Sequence, residues 1–170
     1  MNQIELLIQR YPVLECCKDD ISAAFEILCD SYNNKGKLLV CGNGGSAADA
    51  EHIVGELMKG FRNSRKCDFI TATKFKEIDE EMGAVLAENL QGALAAIALD
   101  GHIALSTAYM NDCSPLLCFA QQVNGFGISG DVLLGISTSG NSKNVIYAAV
   151  AAKAKGMKVI GLTGKNESKL

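Results

Sequence analysis

Apolar residues recur along this chain at two spacings, and the alternation between them predicts the fold. Val13, Cys17, Ile21, Ala24, Leu28 and Tyr32 fall three or four residues apart behind Pro12, a residue suited to a helix's first turn. That spacing predicts a long amphipathic helix ending near Gly36. Four continuous apolar runs follow: KLLVC at 37–41, ALAAIAL at 93–99, DVLLGIS at 131–137 and MKVIGLT at 157–163. Such runs mark strands buried on both faces of a parallel sheet. Helices are predicted between them, from Ser46 to about Gly60, from about Pro115 to Val123 and from Ser142 to Lys155. The pattern is that of a doubly wound α/β domain, a parallel sheet flanked by helices, whose ligands sit beyond the carboxyl ends of its strands. One segment breaks the rhythm. Between Arg62 and Gly92 there is no strand signal, while Phe75, Ile78, Met82, Val85, Leu86 and Leu90 predict an inserted helix around 75–90 with an acidic outer face. That face reads as solvated, or as a lid or interface over a neighbouring site.

Composition narrows the classes. With 170 residues, 48% of them hydrophobic, the chain can build one domain with a sizeable core. A net charge of -3 offers no basic field for nucleic acid, which is therefore not expected as a direct ligand. The start, MNQIELLIQRYP, has no cationic lead into an apolar run, and the most apolar later segment is interrupted by Asp100 and His102. The expectation is a cytoplasmic protein without a membrane segment. Seven cysteines, odd in number and without a C-x-x-C pair, read as buried reduced thiols.

Two loops that follow strands carry most of the candidate chemistry. GNGGS (42–46) puts glycines where backbone must turn tightly and approach a ligand, with Ser46 as the expected N-cap and Asp49 as its capping-box partner. STSGNS (137–142) offers hydroxyls and amides at a helix start, a composition suited to phosphate. Each loop read alone could be only a turn and a cap, but two at the ends of two strands point to a phosphorylated small molecule. The Gly-Lys-Ser/Thr of a P-loop is absent, and the dinucleotide fingerprint lacks its acidic residue some twenty positions on. His52 and Glu56, four apart, share one helix face. They read either as a surface hydrogen bond or, beside a phosphate site, as a proton-abstracting pair or half of a metal site. His102 reads as structural.

The passage CGNGGS-x-x-DA-x-H-x-x-x-E (41–56), the pair Asn111-Asp112, and GDVLLGISTSGNS-x-NVI-x-A with KGMKVI-x-LTGK closely resemble the phosphoheptose isomerases of the sugar isomerase (SIS) family, over nearly the whole chain. The resemblance implies a single SIS domain over 1–170 and isomerisation of sedoheptulose 7-phosphate through an enediol, the first step of ADP- or GDP-heptose biosynthesis, in a homo-oligomer, a tetramer. It matches Asn43, Gly44, Gly45 and Ser46 to a loop that contacts sugar, Asn111 and Asp112 to a substrate-contacting pair, and Ser137, Thr138, Ser139 and Ser142 to the phosphate loop. Glu56 matches the catalytic base and a further substrate contact. His52 and Glu56 match two ligands of a zinc ion, Zn2+, whose other two, a Gln and a His on a C-terminal helix, have no counterpart before the sequence stops at GKNESKL. The expectation is a chain lacking its C-terminal strand and helix, with an incomplete zinc site. The insertion at 63–92 is a second departure, and it leaves the substrate's identity less fixed than the reaction type. Two alternatives stand beside the enzyme: a non-catalytic adaptor that associates with the replication initiator, which the family implies, and a sugar-phosphate-sensing domain that keeps both loops without turnover.

Overall fold

The computed structural model of the protein describes residues 3–170; Met1 and Asn2 lie outside the described residues. Four strands form one parallel sheet: β1 (Leu38–Cys41), β2 (Ala96–Ala98), β3 (Val132–Ser137) and β4 (Lys158–Thr163). Their order is β2-β1-β3-β4. Strand order reverses between β1 and β3, which pair from Leu38↔Val132 to Cys41↔Gly135, so the loops leaving these two strands open side by side.

Both faces of the sheet are covered. One carries α7 (Cys118–Phe126) and α8 (Lys143–Ala154), with Phe119, Val123, Val145, Ala148 and Ala152 packed on Leu39, Cys41 and Leu133. The other carries α2 (Lys18–Asn33) and α3 (Gly45–Met58), whose Ile27, Leu28, Tyr32, Ile53, Val54 and Leu57 meet Leu38, Val40, Val132 and Ile136. The doubly wound α/β class expected from the apolar runs is the observed one.

Several elements differ from their pattern. A 3-10 turn over Pro12–Cys17 replaces the start of the expected first helix, because Cys17 (φ -111°, ψ 6°) leaves helical geometry before α2 begins. A short helix α1 (Gln3–Arg10) precedes it. β4 is an edge strand, so Lys158, Gly161 and Leu162 are exposed rather than buried on both faces. The inserted helix is a hairpin of α4 (Phe69–Ile78) and α5 (Glu80–Asn89). Asp79 breaks it: its backbone is extended and its carboxylate accepts from Met82 N–H at 2.7 Å, capping α5. Gly83 lets α5 approach the Phe75 carbonyl, where a Cβ would clash. The hairpin's base is tied by Arg65, whose guanidinium donates to the Gly92 and Leu57 carbonyls at 2.7 and 2.6 Å.

A helix absent from the sequence reading, α6 (Ile103–Asp112), follows β2. All seven thiols are free, as expected, but only Cys41 and Cys118 are buried; Cys16 and Cys113 are exposed. No described helix is long and apolar enough to cross a membrane.

Candidate functional site

Gly44 shapes the first loop. Its backbone (φ 58°, ψ -120°) lies where a side chain is strained, and it occupies the N-cap of α3. The expected cap is therefore displaced. Ser46 is the second residue of α3, its amide bonded to Asn43 O at 3.1 Å, and α3 starts without a side-chain cap. With no cap at Ser46, Asp49 has no capping-box role.

The second loop does start a helix at Ser142, the N-cap of α8. Ser142 spends its hydroxyl on Ser137 Oγ (2.9 Å) rather than on an amide of the first turn, so the end of the helix remains open to an anion. Ser139 Oγ accepts from Asn141 N–H at 3.2 Å, and Asn141 Nδ2 returns a bond to Ser139 O at 2.7 Å. Ser137 is buried, while Thr138 and Ser139 are exposed at the tip.

The two loops are joined. Asn43 and Asn144 exchange two side-chain hydrogen bonds, and Asn144 stands in the first turn of α8. Both line a cleft of about 270 Å³ with Gly42, Gly44, Asp100 and Ser106. Asn144, Asp100 and Ser106 are not among the candidate site residues of the sequence motifs. Asn144 was legible only as one letter of GNS-x-N, and Asp100 only as an interruption before His102. Burial pushes the Asp100 carboxyl above its usual range and the nearby Glu51 charge adds to the rise, against the pull of its own backbone amide and of His102. His102 is structural, as expected: Nδ1 lies 2.8 Å from Gln122 Oε1 and the ring packs on Phe126.

His52 and Glu56 share a face of α3, with Nε2 and Oε1 3.7 Å apart. They are 78% and 42% exposed and line a separate, shallow depression with Gly55, Met58 and Lys59. Asn111 and Asp112, at the end of α6, are exposed and bonded to each other at 2.8 Å. The chain thus brings the two loops into one cleft, while the His/Glu pair lines a different depression.

The SIS domain description matches residues 9–97 and 83–164, nearly the whole chain. The chain belongs to the SIS domain family. It is 41% identical over 153 residues to a phosphoheptose isomerase of Aromatoleum aromaticum, covering 90% of this chain and 64% of that protein. It is 36% identical over 157 residues to one of Helicobacter pylori, covering 92% and 68%. The chain therefore spans about two thirds of the length of these relatives. Among solved structures, a phosphoheptose isomerase from Francisella tularensis superposes with a TM-score of 0.69 at 30% identity, covering 100% of this chain and 80% of that one. Another, from Neisseria gonorrhoeae, gives 0.63 at 34% identity, covering 97% and 77%. An SIS domain accounts for the parallel sheet and for the two loops at its switch point.

Proposed function

We propose that this SIS domain belongs to a ketose-aldose isomerase converting sedoheptulose 7-phosphate to D-glycero-D-manno-heptose 7-phosphate. The observation that carries the reading is the Asn43–Asn144 link, which joins a sugar-sized cleft to a phosphate-suited loop in a chain whose relatives bear this enzyme's name. In this reading the substrate phosphate lies on Ser137, Thr138, Ser139 and Ser142 at the N-terminus of α8, where backbone amides and the helix dipole favour an anion. Asn43, Gly44, Gly45 and Ser46, with Asn111 and Asp112, hold the sugar.

In the same reading Glu56, which in the single chain lines the separate depression, takes a proton from carbon 1 of the open-chain ketose. The released electron pair forms a double bond between carbons 1 and 2 while the carbonyl oxygen gains a proton, giving the enediol. Loss of the proton on the carbon 1 oxygen and return of one to carbon 2 yields the aldose. A second acid/base group is needed to move the oxygen-bound protons.

Zinc is compatible with the relatives, but the described residues do not complete a site for it. His52 and Glu56 offer two donors, and among the described residues no cluster of three or more His, Cys, Asp or Glu could hold a metal ion. A four-coordinate centre needs more, so no step is assigned to metal. The same reading makes the protein a cytoplasmic homo-oligomer, a tetramer. In support, Val13 of the N-terminal apolar stripe and Phe25, on α2 outside that stripe, are 79% and 59% exposed in the single chain.

Incubation with sedoheptulose 7-phosphate, followed by NMR of the anomeric region, tests this. Appearance of the aldose heptose phosphate is expected. Binding without conversion would overturn the isomerase and leave a sugar-phosphate sensor.

A further inference from the structure

Two oxygens of residues that line the cleft, Asp100 Oδ1 and Ser106 Oγ, are shielded from solvent and hydrogen-bonded to no protein group. Buried polar atoms without a partner are rare and call for an explanation. Asp100 lies on the 3-10 turn Leu99–Gly101 that ends β2, and Ser106 in the first turn of α6. Local structure does not satisfy them. The neighbouring Thr107 folds its hydroxyl back onto the Ile103 carbonyl at 2.8 Å, as helical Ser and Thr often do, but Ser106 does not. His102, between the two, gives its Nδ1 to Gln122.

We propose that Asp100 and Ser106 bind hydroxyl groups of the substrate's sugar chain, an inference that rests on the sugar-phosphate reading above and extends it to residues outside the recognised motifs. A hydroxyl both donates and accepts, so a polyol satisfies a carboxylate oxygen and a serine oxygen alike. Asn144 lines the same cleft two residues beyond Ser142, so the cleft adjoins the phosphate loop. A ligand anchored there by its phosphate extends its carbon chain toward Asp100. Met110 and Phe119 on the lining give that chain's C–H groups an apolar surface. A metal cation fits less well, because among the described residues no further donors gather around Asp100 to make a cluster of three. A hydroxyl that donates to the Asp100 carboxylate offsets the desolvation that raises it.

The test titrates wild type, Asp100→Ala, Asp100→Asn and Ser106→Ala with sedoheptulose 7-phosphate and, separately, with butyl phosphate, which keeps the phosphate and lacks the hydroxyls. Wild type should prefer the sugar phosphate. Asp100→Ala and Ser106→Ala should each weaken sugar-phosphate binding by about tenfold, the loss of one hydrogen bond, with Asp100→Asn between them and wild type. Affinity for butyl phosphate should stay within about twofold, which also shows that the loops remain folded. A wild type with no preference overturns both this inference and the sugar-phosphate reading. A preference that survives in the variants overturns this inference alone, as does equal weakening of both ligands, which would mean that the residues only shape the loops.

Discussion

Asn43 and Asn144, 101 positions apart, bond reciprocally: Asn43 Nδ2 to Asn144 Oδ1 at 3.0 Å and Asn144 Nδ2 to Asn43 Oδ1 at 2.7 Å. The pair ties the loop after β1 to the helix after β3 across the switch point. Each amide contributes one donor and one acceptor to the link, so the link is lost when either residue is truncated. In a double-mutant cycle with alanine at both positions, a coupling energy of about 1 kcal/mol in chemical denaturation is expected. Sugar-phosphate affinity should fall as far in either single variant as in the double. Additive effects would mean that the loops are held by other contacts.

Glu56→Gln keeps shape and removes the basic carboxylate. Turnover of sedoheptulose 7-phosphate should drop roughly a hundredfold or more while binding persists. Ser139→Ala should show the reverse, weaker binding before slower turnover. Wild-type rates in the Gln variant would remove Glu56 from the proposed role.

Buried Asp131 anchors the amino end of β3. Its carboxylate accepts from Lys37 Nζ at 2.6 Å, Lys37 N–H at 3.0 Å and Ile128 N–H at 2.9 Å. Asp131→Ala leaves two amides and a partly buried ammonium without their acceptor, and should cost about 3 kcal/mol in urea denaturation. A loss under about 1 kcal/mol would show that water replaces the carboxylate.

Gly44 and Gly45 are neighbours with different constraints. A Cβ at either meets nothing within 4 Å, but only Gly44 has a positive φ. Gly44→Ala should lower stability by about 1–3 kcal/mol through backbone strain. Gly45→Ala, at the first position of α3, should change it by less than about 0.5 kcal/mol. Thermal melts of both variants decide it; equal losses would contradict the strain argument.

Burial pushes the Cys41 thiol up to about 12 from an ordinary 9.0, with Asp100 adding to the rise. The folded state keeps this proton while the unfolded chain releases it, so the linked stability is full below pH 9 and is lost as pH rises toward 12. Between pH 8 and 10 wild type should lose roughly 1 kcal/mol more than Cys41→Ala does. In alkylation of the native protein at pH 8, Cys16 and Cys113 should label and Cys41 should not. Prompt labelling of Cys41 would mean that β1 opens locally.

The positions of the two loops were legible because their signals are local. Glycines after an apolar run announce a turn, and hydroxyls before a helical pattern announce an anion site. Asp100 and Ser106 carry no such signature, since what distinguishes them is burial without a partner, which belongs to the packed chain. Helix ends were misread for a related reason. Ser46 is the better cap by composition, yet Gly44 can take the positive φ and the helix starts there.

The sequence by itself determined the four strand runs, the α/β class and the position of the two loops after β1 and β3, because periods of two to four residues are set by neighbours along the chain. The tertiary structure alone decided the strand order that sets β1 beside β3, the edge position that leaves β4 half open, the folding of the insertion into a hairpin and the Asn43–Asn144 bond. These are pairings across dozens of residues, where loop-closure entropy is offset only by the packing of the whole domain, and no local pattern records which partner is met.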